Sequence, residues 1–562
     1  MKIFLYFFVF FLGIETLSAQ EMREHRWLSR EKVLTPIHSR RGEGVAVQKV
    51  SPRRQADARP SGGVPPLLTD HWDQEGVLCS MTPLMDGKHA AVGCVALAMA
   101  EVMHKWEHPL QGKGMLTYYD SLGCGQVLTA RFEEHRYEWD KMLDQYVEGE
   151  YTQQQADAAA LLCSDCGISV RMKYGTSSGA EPVWQAIALP TYFGYDEGVQ
   201  LLFRDFYTRD EITALLKREL DAGRPVLISG YNYVGGHAFV IDGYDERDWF
   251  HIVAGNPNGE GDGWTPLDCM AFDMPEWYDV DSPESGLNLL QVFVTGIVPE
   301  NHPDATHTET HVFAMRGMEA LSESVRRTDS LTFCVHELCN VGRNLHSDSV
   351  AVMIVKKGER VQPVYTYDRT FLLEEVDDTT YTDTVRCLLP EGLEAGRYTL
   401  QPMFRDGGTW QAVRTCTGTP NELQMDVTEQ TVRLYTDSSK VAYLTLEDFE
   451  VPDLILNGSA PDIRLTLKAH NAEFSGRIYL YMEPIDERCQ EFYLLRQGVT
   501  MQPDEVSVRR IHKMKVYAPK TGKYRLHFLY DNNLLDDKMY ELTPETIEVS
   551  VLHTGVIQWA RR

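Results

Sequence analysis

Near Pro299 the hydrophobic pattern of this chain changes period, and that change decides how many cores it must build. Before it, helical spacing at residues 93–106, "TQQQADAAALLCSDCG" and "TRDEITALLKRELDAG" gives way to strand-like "RPVLISGYN", "GHAFVIDGYD" and "WFHIVAG". The third helix opens on a Thr and an Asp and stops at Gly223, as caps require, and "DERD" marks a hairpin turn. Beyond Pro299, "SVAVMIVKKG", "RYTLQPMFRD", "IRLTLKAH", "RIYLYMEP" and "YRLHFLYD" set β-formers between turn residues, the pattern of sandwich domains. "EAGRYTLQPMFRD" is echoed by "KTGKYRLHFLYD", and the interval from Gly396 to Gly522 suits two tandem sandwiches. At 562 residues the chain is too long for one core, so three folded units are expected: an α+β region over 63–298 and all-β sandwiches over 299–432 and 433–562.

The opening "MKIFLYFFVFFLGIETLSAQ" has a cationic Lys2, an apolar run from Ile3 to Leu12 and small Ser18 and Ala19 before Gln20. That is the layout of a secretory signal peptide over 1–20, and it predicts a secreted, cell-surface or periplasmic protein. No stretch approaches the roughly 18 to 20 apolar residues of a membrane span. Residues 21–62, rich in Arg, Pro, Gly and Ser, read either as a short pro-segment of a zymogen or as a plain flexible arm; Arg40/Arg41 and Arg53/Arg54 offer cleavage sites to a trypsin-like protease.

A net charge of −28 argues against a nucleic-acid partner, which needs a basic stripe to displace counterions. Eleven cysteines leave at least one thiol without an intrachain partner. Cys163/Cys166 and Cys334/Cys339 are spaced closely enough for disulfides, and the first pair also has the CxxC spacing of redox sites.

Cys94 follows Gly93 at the start of an apolar helix in "AAVGCVALAMAEVMHKW". Unpaired N–H groups and the helix dipole favour a thiolate there, and glycine lets the chain approach a substrate closely. For an isolated cysteine, a core position is the rival reading. His237 stands behind two glycines at the start of a strand in "YVGGHAFVIDGYD", where alternation puts His237, Phe239 and Ile241 on one face. Cysteine beside histidine gains a base and an ion-pair partner, the arrangement that activates a thiol for acyl transfer. Gln74 in "HWDQEG" is a candidate amide donor to the oxyanion of a tetrahedral intermediate, together with the cysteine's own N–H.

The order Gln74, "VGCVALAMAEVM", "GISVRMKYGTSSGA", "GGHAFVIDGYD" resembles the streptopain family of secreted papain-clan cysteine peptidases, over roughly residues 63–298. The resemblance implies a papain-like fold with a helical lobe and an antiparallel-sheet lobe. It further implies Cys94 as nucleophile, His237 as general base, Gln74 in the oxyanion hole, and backbone at Ala180 and Gly236 along the substrate cleft. The family pattern then has an Asn-Trp pair and Gly-Trp-Gly-Gly, whereas this chain reads "FHIVAGNPNGEGDGW", with Val253 and Ala254 at the pair. The amide that holds the imidazole in its productive tautomer and the aromatic shield over it are then expected to be missing, with Asn256 or Asn258 as substitutes. The stretch around Leu78 also lacks the family's Pro-Tyr-Asn.

His104 and His108 share a helix face at metal-ligand spacing, but no glutamate follows the first and no third ligand is evident, so a solvated helix end is expected. "NPNGEGDG" alternates oxygen donors as calcium loops do, without the closing bidentate Glu. With no GxSxG or phosphate-loop motif either, no metal or cofactor is expected. The function expected is a secreted cysteine endopeptidase acting on proteins or peptides, its sandwiches meeting a surface or host ligand. The rivals are a catalytically impaired peptidase-fold binding protein and an adhesin.

Overall fold

The computed structural model describes residues 62–231, 235–268, 270, 286–308, 312–342, 349–368, 381–450, 454–455, 463–485, 492–511, 521–531, 539–543, 547–552 and 557–559, and the backbone of 33–34. The signal peptide expected at 1–20 and almost all of the 21–62 arm therefore lie outside the described residues.

Two of the four α-helices described in the first region start where side chains replace missing helical bonds. Helix α1 (Cys94–Trp106) follows the turn at Gly93, and residues 94–103 are all buried. Helix α2 (Gln153–Ser169) opens with a capping box in which Thr152 and Gln155 satisfy each other's main-chain N–H groups. Helix α4 (Arg209–Asp221) does the same with Thr208 and Glu211. Helix α3 (Val183–Phe193) was not anticipated: Pro190 inside it argues against a helix from sequence, yet it stands in the last turn before Gly194, at φ 64°.

A six-stranded sheet follows. Its strands are β1 (Gln200–Phe203), β2 (Val226–Tyr231), β3 (Gly236–Tyr244), β4 (Trp249–Val253), β5 (Gly263–Pro266) and β6 (Leu289–Thr295), in the order β5-β4-β3-β2-β6-β1 with every pairing antiparallel. Strands β1, β5 and β6 were not anticipated. Both faces are covered, so the central strands carry apolar residues at both parities. Leu227, Ala238, Val240 and Val294 pack with α1, α2 and α3, whereas Ile228, Phe239, Ile241 and Phe293 pack with Ile212, Leu216 and Leu220 of α4.

Past residue 299 the described chain is strands and short turns. One seven-stranded and one five-stranded sheet send side chains into a single core that includes Phe333, Val352, Ile354, Leu400 and Leu423. A three-stranded and an eight-stranded sheet do likewise around Leu465, Leu467, Leu480, Leu526 and Phe528. The sequence echo marks equivalent strands. Gly396–Asp406 lies between Val350–Lys356 and Leu423–Val427, and Gly522–Asp531 between Phe474–Pro484 and Ile547–Val551, all antiparallel. Thr431–Tyr435 pairs inside the first of these units, so the border expected at residue 432 falls instead after Tyr435.

The α4 side of the sheet is not a free surface. Ala314, Cys339, Val341 and Cys416 from the first β unit complete its core. Beside them Arg204, 4 % exposed, pairs with Glu473 of the second β unit at 3.2 Å and with Asp268 at 3.5 Å. The Glu473 carboxylate also accepts the Arg209 N–H, at 3.0 and 2.9 Å, and the Gln502 amide at 2.7 Å. The Arg414 guanidinium stacks 3.9 Å over the Tyr207 ring. The residues around the start of α4 thus bind both β units.

No two of the nine described cysteines are joined by a disulfide. Cys163 and Cys166 are buried inside α2, where burial pushes both thiols up and Cys166 Sγ donates to Met103 Sδ at 3.6 Å. They form neither the disulfide nor the redox pair their spacing allows. Cys334 and Cys339 lie five residues apart on one strand, Leu331–Asn340. At about 3.3 Å per residue their Cα atoms are far beyond the roughly 7 Å a disulfide spans.

Candidate active site

Gly93 has φ 89° and ψ 134°, backbone that a side chain resists, and a Cβ there would lie 2.6 Å from Met172 Cε. Glycine is therefore required where α1 meets the segment after α2. That segment is tied to the approach to Cys94, since Ala91 N–H donates to Gly175 O at 3.1 Å. Cys94 is 9 % exposed. Its sulfur hydrogen-bonds the His237 side chain, with main-chain N–H contributions from Ala238 and Val95.

His237 is half-buried at the open end of β3. Its Nε2 is 2.8 Å from the carbonyl of Ala254. A carbonyl only accepts, so Nε2 carries the proton and Nδ1 is left as the basic nitrogen for the sulfur. The ring stacks on Phe239, centroids 6.1 Å apart at 17°.

The electrostatics favour a charged pair. Burial raises the Cys94 thiol, but the hydrogen bond and charge of His237 outweigh it, and the thiol ends below its ordinary 9.0. Burial lowers His237, but the Cys94 sulfur and then the Ala254 carbonyl outweigh that, and the imidazole ends above its ordinary 6.5. Each group raises the charged fraction of the other.

The acceptor expected to be missing is present in another form. Val253 and Ala254 bring no side-chain amide, but the main-chain carbonyl of Ala254 takes that place. Asn256 does not substitute: its amide nitrogen donates to Glu260 O at 2.9 Å, inside its own loop. The Asn258 side chain lies outside the described residues. Among the described residues, Phe239, two residues along the same strand, is an aromatic neighbour of the ring.

Gln74 is half-buried, and its carbonyl accepts Val92 N–H at 2.9 Å, two residues before Cys94. Ala180 is buried directly after Gly179, which exchanges hydrogen bonds with Lys173 at 3.1 and 2.9 Å. Gly236 pairs with Tyr231, whose ring would lie 2.4 Å from an added Cβ. A buried glutamine not singled out from sequence, Gln185 of α3, donates to Val95 O at 2.7 Å and holds the first turn of α1.

His104 and His108 do not converge. His104 Nδ1 lies 2.8 Å from Asp70 and the ring stacks on Trp72, whereas His108 Nε2 donates to Gly194 O at 2.9 Å. Among the described residues, Asp70, His104 and Asp144 bring ligand atoms within 4.8 Å of one another, and the first two already bond each other. In the loop read for a calcium pattern, Asp262 Oδ1 instead accepts the Ala254 N–H at 2.8 Å. No helix among the described residues is long and apolar enough to cross a membrane.

The peptidase C10 family pattern matches residues 72–264. Streptopain of Streptococcus pyogenes is 33% identical over 247 residues, 41% of this chain and 60% of its own length. The thiol protease/hemagglutinin PrtT of Porphyromonas gingivalis is 28% identical over 271 residues, 47% of this chain and 30% of that protein. Among solved structures, active interpain A cysteine protease of Prevotella intermedia is similar at 29% identity and a TM-score of 0.38, covering 44% of this chain and 99% of that one. The match to streptopain thus spans three-fifths of that relative. Through residues 72–264, with a cysteine at a helix start bonded to a histidine at a strand start, the chain carries the peptidase C10 family pattern and is similar to the streptopain cysteine peptidases.

Proposed function

We propose that the chain is a secreted cysteine endopeptidase built from a signal peptide, a short pro-segment, a papain-like domain beginning near residue 63, and two β-sandwiches that meet a surface or host ligand. The observation that carries the reading is the Cys94–His237 hydrogen bond, with the thiol pushed down and the imidazole pushed up. The Cys94 thiolate attacks the scissile carbonyl carbon, and the π electrons move to oxygen. The Gln74 side-chain amide and the Cys94 N–H donate to that oxyanion, a role whose loss costs about 100- to 1000-fold in rate. The carbonyl re-forms as the C–N bond breaks, and the His237 imidazolium gives its proton to the leaving amine. Water then gives a proton to His237 and attacks the thioester; breaking the S–C bond releases the acid and restores the thiolate. Backbone at Ala180 and Gly236 lines the bound peptide.

The impaired-peptidase reading rests on the absent Asn-Trp pair; the Ala254 carbonyl, 2.8 Å from His237 Nε2, supports the active reading. In a reducing buffer, protein lacking residues 1–62 is expected to degrade an unfolded protein, with Cys94→Ala slower by at least about 1000-fold. Equal cleavage by both proteins overturns the proposal.

A further inference from the structure

The carbonyl that holds His237 is itself held from two sides. On one, Asp262, in the loop between β4 and β5, accepts the N–H of Ala254 at 2.8 Å, and the carbonyl of the same fully buried residue faces His237 Nε2 at 2.8 Å. On the other, Gly255 turns with φ 67°, and a Cβ there would lie 2.8 Å from Leu97 Cδ2. Leu97 is in the first turn of α1, its N–H bonded to Gly93 O at 3.0 Å. The Ala254 carbonyl is thereby positioned against the helix that carries the nucleophile.

We propose that Asp262 is a positioning residue for the Cys94–His237 pair, acting through the Ala254 main chain in place of a side-chain amide. The inference rests on the peptidase reading above. A side-chain orienter needs one contact to aim the ring, but a carbonyl at a strand end needs its peptide planes fixed first. Asp262 supplies that constraint by holding the N–H of the residue whose C=O is used. Its other oxygen is 3.8 Å from His71 Nδ1 and sits in the space left by the absent side chain of Gly259. The charged and titratable groups around it are His71 from the segment before α1, His251 on β4, Asp242 on β3 and Glu101 on α1. The hydrogen bond requires an acceptor oxygen and not a charge, so asparagine should serve and alanine should not.

The experiment uses the full chain and three variants, measuring kcat and KM on an unfolded protein and the pH dependence of Cys94 alkylation by iodoacetamide. Asp262→Ala is expected to lower kcat about 10- to 100-fold with KM within about twofold, and to move the acid limb of alkylation up by about one pH unit. Asp262→Asn is expected to keep kcat within about threefold of the parent, its amide oxygen accepting the same N–H. Gly255→Ala, which presses the same turn from the Leu97 side, is expected to move the limb in the same direction and decides the matter should Asp262→Ala fail to fold. An unshifted acid limb in folded Asp262→Ala or in Gly255→Ala, or a loss of kcat that Asp262→Asn does not recover, overturns the proposal. If Cys94→Ala still cleaves, the peptidase reading falls; if it is inactive while Asp262→Ala behaves as the parent, only this inference falls.

Discussion

Replacing His237 by alanine is expected to lower kcat/KM by roughly 10,000-fold, the upper end of what a positioned base contributes and about 5.5 kcal/mol of barrier. Two losses combine. The leaving amine has no proton donor, and Cys94 loses the partner that offsets its burial. In the parent, burial is the largest influence on the thiol and pushes it up; the His237 hydrogen bond and charge reverse that. With the imidazole gone, burial is left opposed only by the Ala238 and Val95 N–H groups and the α1 dipole. The thiol then titrates at or above its ordinary value, and the residual turnover rises with pH through that range. Steady-state kinetics at pH 7 and alkylation across pH check both parts. A variant within tenfold of the parent would mean that another group activates the sulfur.

The second large effect concerns stability, far from the sulfur. Glu473→Ala is expected to cost about 3–5 kcal/mol, because it leaves Arg204 buried with its best partner removed. Arg204 retains Asp268 at 3.5 Å, but Asp268 is also engaged by Arg209. The substitution removes more than an ion pair. Glu473 comes from the second β unit and accepts the N–H of Arg209, the first residue of α4, on both oxygens. A carboxylate at that position complements the positive end of the helix dipole and satisfies a donor the helix cannot. Denaturant unfolding of the full chain should show a lower midpoint, and Glu473→Gln, which keeps one acceptor oxygen without the charge, should lose less. An unchanged midpoint in Glu473→Ala would show that the β units do not stabilise the peptidase region through this joint.

These two sites differ in how much of them can be read before folding. Cys94 after Gly93 and His237 after two glycines are legible because an activated thiol and its base need those backbone settings, and the helix start and strand start follow from the apolar spacing after Gly93 and from alternation. Helices α2 and α4 are legible through their caps, Thr152/Gln155 and Thr208/Glu211. Helix α3 is hidden by Pro190. The third partner of the site is illegible in principle: every residue carries a carbonyl, and Ala254 acquires its role only because β4 ends beside His237. The absence of an Asn-Trp pair suggests a missing acceptor, whereas in the fold the Ala254 carbonyl lies 2.8 Å from His237 Nε2. Asp262 was visible only as one oxygen among several in a glycine-rich loop. The Arg204–Glu473 joint links residues 269 positions apart, and no local pattern announces such a pair.

The most direct test is the rate of Cys94 alkylation against pH, followed by peptide mass spectrometry so that each cysteine is read separately. Burial pushes up the thiols of Cys79, Cys124, Cys163, Cys166, Cys387 and Cys416, whereas Cys94 is pushed down. Reactivity is lost as pH falls through the lowered thiol value, and the ion pair dissolves as pH rises through the raised imidazole value. Cys94 should therefore react on the acid side of the other cysteines, with an acid limb below the ordinary thiol range of about 8.5 and a second inflection that disappears in His237→Ala. A single rise centred near 8.5 or above, unchanged in His237→Ala, would contradict the pairing of these two residues.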